Sequence, residues 1–128
     1  MKKLFVFFIL IILPRAKALE SEFFERELIY RIGEKFIIFK MHKEKKYLLS
    51  NHCVKGSSCL ASNALSKKYD IKIAPGDLKG GKNPGSVLCR KIPDGKVVIG
   101  LDVKRNQQSF CLFSDKSILS TGILNQLY

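Results

Sequence analysis

A small single α+β domain, made of short helices and β-hairpins and stapled by two disulfides, is what this sequence predicts, on three observations. The chain has 128 residues, room for one domain. Apolar residues make up 46% and charged residues 27%, which suits a packed core and neither a disordered tail nor a collagen-like repeat. Its four Cys all follow a leader-like amino terminus, an even number in a small chain sent to an oxidising space.

The leader reading rests on Met1-Lys2-Lys3 as a positive start, an unbroken apolar run from Leu4 to Leu13, and Ala16-Lys17-Ala18 as a small-x-small cleavage site. Residues 1–18 are therefore expected to be a cleaved signal peptide, with residues 19–128 as the mature domain. The apolar run rises only about 15 Å as a helix, roughly half the hydrocarbon thickness of a bilayer, so a membrane anchor is the weaker reading. Nor does a later segment read as a membrane span. Cleavage after Ala18 removes Lys2, Lys3, Arg15 and Lys17 and lowers the net charge from +12 to +8. The charge is uneven: residues 19–50 carry a net +1 and residues 51–128 a net +7.

Along the mature chain, Ser21 precedes a segment in which Phe24, Leu28 and Ile32 recur every four residues up to Gly33, predicting an amphipathic helix with acidic residues in its first turns. Lys35 to Met41 and Tyr47 to Leu49 are apolar runs separated by Lys43-Glu44-Lys45-Lys46, which predicts a hairpin with a charged tip. Lys43, Lys45, Lys46 and Tyr47 at this tip are a candidate patch for anions, weighed against a merely solvated turn. Ser57-Ser58 caps a second expected helix running to about Lys68, with Leu60, Ala61, Ala64, Leu65 and Tyr69 on one face and Cys59 in its first turn. Asp70 to Ile73 is short and β-like, and Pro75-Gly76-Asp77 with Gly80-Gly81 marks a connection.

Asn83-Pro84 opens a third helix, through Val87, Leu88 and Ile92, that holds Cys89 and ends at Pro93-Asp94-Gly95. Val97–Val103 and Ser109–Phe113 are β-rich and predict a second hairpin about a turn at Lys104 to Gln107, with Gly100 marking a bulge or a close backbone approach. The tail from Ser117 to Tyr128 closes the core as a short helix or strand. No internal repeat emerges, although the elements suggest one helix and one hairpin in each half.

Cys53, Cys59, Cys89 and Cys111 allow three disulfide connectivities. Cys53 with Cys59 and Cys89 with Cys111 is favoured, because each pair staples neighbouring elements; a crossed pairing is the rival. A metal site from Cys53, Cys59 and His52 or His42 is set aside, since Cys-x5-Cys lacks the short knuckle of structural zinc. A catalytic Cys53 thiol is set aside too, because His52, its chain neighbour, points to the other side of an extended backbone. Gly80-Gly81-Lys82 lacks the full spacing of a phosphate-binding loop.

Asn83-Pro84-Gly85-Ser86-Val87-Leu88-Cys89 and Cys111-Leu112-Phe113-Ser114-Asp115-Lys116-Ser117 resemble, in order and spacing, a small bacterial exported domain family of unknown function that carries a hemolysin label. That family shows Asn-Pro-Ala-x-x-x-Cys, then a strand, then Cys-x-Phe-Pro-Asp-Gly-Ser. The resemblance covers residues 83–128. Gly85 stands where the family has Ala and Lys116 where it has a turn Gly, and the Cys and Trp that follow the family's turn are missing. The resemblance implies a Cys89–Cys111 bridge and export to the periplasm; it implies no chemistry.

Two His, no metal-ligand cluster, no glycine-flanked Ser and no clear carboxylate pair argue against catalysis, and no cofactor is expected. The leading expectation is a periplasmic or secreted binding or accessory module whose basic surface favours an anionic envelope component or an acidic protein. Nucleic acid is not expected, since no recognised fold motif is present and export removes the chain from cytoplasmic DNA. A membrane-active protein, prompted by the expected Phe-rich helix and the hemolysin label, is the alternative, and an enzyme inhibitor presenting Asn51 to Ser58 is the third.

Overall fold

The computed structural model describes residues 19–56 and 58–128. The expected signal peptide, 1–18, and Ser57 of the expected helix cap lie outside the described residues. Three strands, three short helices, three more strands and a last helix follow in chain order: β1 Leu28–Ile32, β2 Lys35–Met41, β3 Leu48–Ser50, α1 Asn51–Val54, α2 Leu60–Leu65, α3 Pro84–Lys91, β4 Lys96–Leu101, β5 Gln107–Leu112, β6 Ile118–Ser120 and α4 Gly122–Leu127. The strands close into an antiparallel barrel in the order β1-β2-β3-β6-β5-β4. Helices and strands with two disulfides were expected; closure of all six strands was not.

Both hairpins form where the apolar runs placed them. β2 pairs with β3, Phe39 opposite Ser50, and β4 pairs with β5, Val98 opposite Phe110. Asp102 organises the second turn, its Oδ1 accepting from the Lys104 and Asn106 amides. Gly100 is regularly paired with Gln108, so it marks no bulge. It marks a close approach: a Cβ there would lie 2.6 Å from the Phe110 ring.

The expected helix over 21–32 is corrected. Residues 28–32 are β1, lodged between β2 and β4, and Phe23 makes an isolated bridge to His42. A spacing of four is also an even number, so residues that share a helix face share a strand face too. Leu28, Tyr30 and Ile32 point into the barrel, while Ile29 and Arg31 point out. The second helix stops at Leu65, short of Lys68, as Lys67 turns left-handed at φ 55°, and Cys59 is its extended N-cap, not part of its first turn. Residues 70–73 form no strand; Ile71 and Ile73 pack on the helical layer instead. The third helix is as expected, with Asn83 Oδ1 accepting from the Ser86 amide and Pro84 in the first turn.

Alternation along β3, β5 and β6 divides the interior in two. Leu48, Phe110 and Ile118 face into the barrel with Phe39. There Phe39 and Phe110 stack at 4.7 Å, and the Tyr30 ring meets each edge-on at 5.6 and 5.1 Å. Leu49, Cys111 and Leu119 face outward into a second core formed with Leu88, Ile123 and Leu124 of the helices. The disulfides belong to this layer: Cys89–Cys111 ties α3 to β5, and Cys53–Cys59 ties α1 to the start of α2. This is the favoured connectivity, and the crossed one is excluded.

The pairing also shows a repeat the sequence hides. Arg31 pairs with Leu101 and Leu49 with Leu119, each 70 positions apart, so two β-β-β-α units meet about an approximate two-fold. Side chains repeat it. Ser50 Oγ accepts from the Ile118 amide and donates to its carbonyl, while Ser120 Oγ accepts from the Leu48 amide. The sequence did suggest a hairpin in each half, but not this correspondence.

Candidate functional site

Three surfaces carry chemistry. The first is the hairpin tip between β2 and β3. Lys43, Lys45 and Lys46 are exposed there, and Lys46 lies 4.6 Å over the Phe24 ring. Tyr47 is placed differently. Its ring stacks on His42 at 4.8 Å and meets Phe23 edge-on, and burial with the nearby Glu22 carboxylate pushes its phenol up to about 12. His42 Nδ1 accepts from the Lys45 amide, and its Nε2 lies 3.9 Å from Glu22. The fold thus brings the three lysines together but turns Tyr47 inward and sets Glu22 and Glu44 beside them.

The second surface is the connector between α2 and α3. Lys67, Lys68, Lys72, Lys79 and Lys82 are exposed along it, and Arg90 is exposed on α3. Against these stand Asp70 and Asp77. The Asp77 carboxylate is already engaged, 2.9 Å from Lys91 and accepting from the Ala74 amide, and that lysine contact first, then the amide, holds it below the usual carboxylate range. The connector is pinned by apolar anchors, Tyr69, Ile71 and Ile73 packing on the helical core, so its cations are displayed on an ordered strap.

The third is the outer face of β1, β2 and β4. The helices cover β3, β5 and β6, whereas Ile29, Phe36, Ile38 and Ile99 remain exposed on the opposite side of the barrel. Arg31 rises among them, paired with Phe36 on one side and Leu101 on the other. A depression of about 240 Å³ opens here, reaching Val103 and Arg105 at the turn after β4. Neither arginine enters an ion pair among the described residues. Strand alternation in Ile29 to Ile32 was the signal for this face, masked by the helical reading.

One polar node is structural. Asp115 accepts from the Leu60 amide at 2.8 Å, the Ser117 amide at 3.0 Å and the Ser117 hydroxyl at 2.6 Å, while Ser117 Oγ accepts from the Ala61 amide. It caps α2 from the β5–β6 turn. Burial pushes the Asp115 carboxyl up, but the Ser117 hydroxyl and the two amides outweigh it and leave it below the usual range.

Among the described residues, the candidate reactive groups stand as follows. His52 Nε2 lies 3.6 Å from Cys53 Sγ, but that sulfur is in a disulfide and has no thiolate to offer. Ser86, Ser109 and Thr121 bond to one another with neither His nor carboxylate among them. No group of three or more His, Cys, Asp or Glu among the described residues is placed to hold a metal. Residues 51–54 of the segment considered for an inhibitor are helical, with Cys53 and Val54 buried. No helix among the described residues is long and apolar enough to cross a membrane. No family model, curated protein or solved structure matches the chain.

Proposed function

We propose that this protein is a small exported accessory module of the cell envelope that binds an anionic partner through the cationic connector. The observation that carries the reading is the pinned strap, in which five lysines are displayed and one of the two acids is occupied by Lys91. Two disulfides fit a chain that works in an oxidising compartment. The resemblance over residues 83–128 supports export, and two of its departures have a physical setting in the structure. A Cβ at Gly85 would meet the Thr121 carbonyl, and Lys116 sits at φ 71°, the conformation a turn glycine adopts. The membrane-active alternative loses its Phe-rich helix, since residues 28–32 of that segment are β1, residues 21–27 before them are not helical, and Phe23 is buried.

Dextran sulfate is a suitable probe, because it carries dense negative charge without apolar groups. Its binding should weaken by about tenfold or more as salt rises from about 0.02 M to about 0.5 M, the range over which screening shortens from roughly 20 to 4 Å. The variant carrying Lys79→Glu and Lys82→Glu should bind more weakly at low salt while keeping the wild-type melting temperature. Binding that ignores both salt and these substitutions would refute the reading.

A further inference from the structure

We infer that the outer face of β1, β2 and β4 docks a protein partner that presents a carboxylate to Arg31 within an apolar frame. This deepens the anionic-partner reading, resting on it for the sign of the partner's charge but on a different surface. Ile29 is 46% exposed, Ile99 51%, Phe36 72% and Val103 89%, so the strands facing away from the helices display a cluster of apolar side chains to solvent. Isolated exposed apolar residues are ordinary; a cluster on one sheet face marks an interaction surface. Ile29 and Ile38 are directly opposed across β1 and β2, and Arg31 next to them is opposed to Phe36 on β2 and Leu101 on β4.

Charge selects the occupant. Arg31 stands inside the apolar cluster, between Phe36 and Leu101, where protein interfaces concentrate binding energy in an arginine ringed by apolar contacts. A flat bilayer meeting this face would have to sink the guanidinium to the depth of its apolar neighbours, which disfavours a lipid surface. A second copy docked with its two-fold axis at Arg31 would bring two Arg31 side chains together, a like-charge contact that costs affinity. Asp102, the acid beside the site, has its carboxylate oxygens engaged by the Lys104 and Asn106 amides and the Asn106 side chain, and it forms no ion pair with Arg31 among the described residues. Glu27 and Glu34 lie at the margins, in the segment before β1 and in the β1–β2 turn, and repel an acidic group there, so the partner's carboxylate has to meet the face at Arg31.

Two short synthetic peptides test this, one alternating Glu with Leu and one alternating Lys with Leu, titrated into the disulfide-bonded, isotope-labelled protein and followed by amide chemical shifts. The Glu peptide should perturb residues 29–31, 36–38 and 99–105 and bind at least about tenfold tighter than the Lys peptide, the scale of one close charge pair. Arg31→Glu, an exposed change, should reverse that preference and leave dextran sulfate binding intact. Shifts located elsewhere, equal affinity for the two peptides, or an unaltered preference in Arg31→Glu would overturn the inference. So would phosphatidylglycerol vesicles that bind wild type and are released by Arg31→Glu. Dextran sulfate binding without peptide binding sinks this inference alone; peptide binding without dextran sulfate binding sinks the connector reading alone.

Discussion

Gly85, Lys116 and Asp115 show how single positions answer to their surroundings. Gly85 is the place where α3 touches the backbone before α4, and Gly85→Ala should cost about 1–3 kcal/mol in urea unfolding, the usual penalty of overpacking a closed contact. Lys116 holds a left-handed backbone that glycine adopts freely, so Lys116→Gly should raise the melting temperature, by a stabilisation of about 1 kcal/mol. Asp115 titrates below its ordinary value in the folded chain, so its contribution is complete above the unfolded value, near 3.9, and fades as pH falls through the lowered one. Asp115→Asn should therefore lower the urea midpoint at about pH 7, and by progressively less as pH falls through the lowered value and wild type loses the same charge. Tyr47 is the high-pH counterpart: ultraviolet titration should show a phenol ionising near 12 that is absent in Tyr47→Phe. The contact at Gly85 and the Leu60 amide on Asp115 are not written in the local sequence, because each depends on a group far along the chain, whereas the turn at Lys116 is local.

At the scale of elements, the legible ones were those whose signals are local. The third helix was readable from Asn83-Pro84 because cap and proline act within one turn. Both hairpins were readable because their strands pair with the next strand in the chain. β1 was not, since its spacing suits either period and its second partner, β4, begins 64 positions after its own end. The disulfides follow the same division. Cys89–Cys111 joins a helix to a strand across a separation of 22, and replacing both by Ala should cost about 3 kcal/mol. Cys53–Cys59 spans only 6 and should cost about 2 kcal/mol, so thermal melts of the two double variants should rank in that order.

For the molecule as a whole, closure of the barrel sets both the core and the exposed surfaces. Joining β1 to β4 and β3 to β6 leaves no strand edge, seals Phe39 against Phe110, and sets the helical layer over Leu49 of β3, Cys111 of β5 and Leu119 of β6, with Val97 at the start of β4 beneath its margin. The face of β1, β2 and β4 is left bare as the geometric remainder. Removing Phe110 by Phe110→Ala should cost about 3–5 kcal/mol, measured by urea unfolding, because the ring fills the centre between the two units. By itself the sequence determined composition class, charge and the two hairpins, and it favoured the cysteine pairing without closing off the crossed one. Only the tertiary structure decided that residues 28–32 are a strand, that two halves answer each other at an offset of 70, and that Arg31 stands among exposed apolar side chains. Those depend on which faces are covered when distant strands pair, and residue periodicity specifies a face without naming what lies against it.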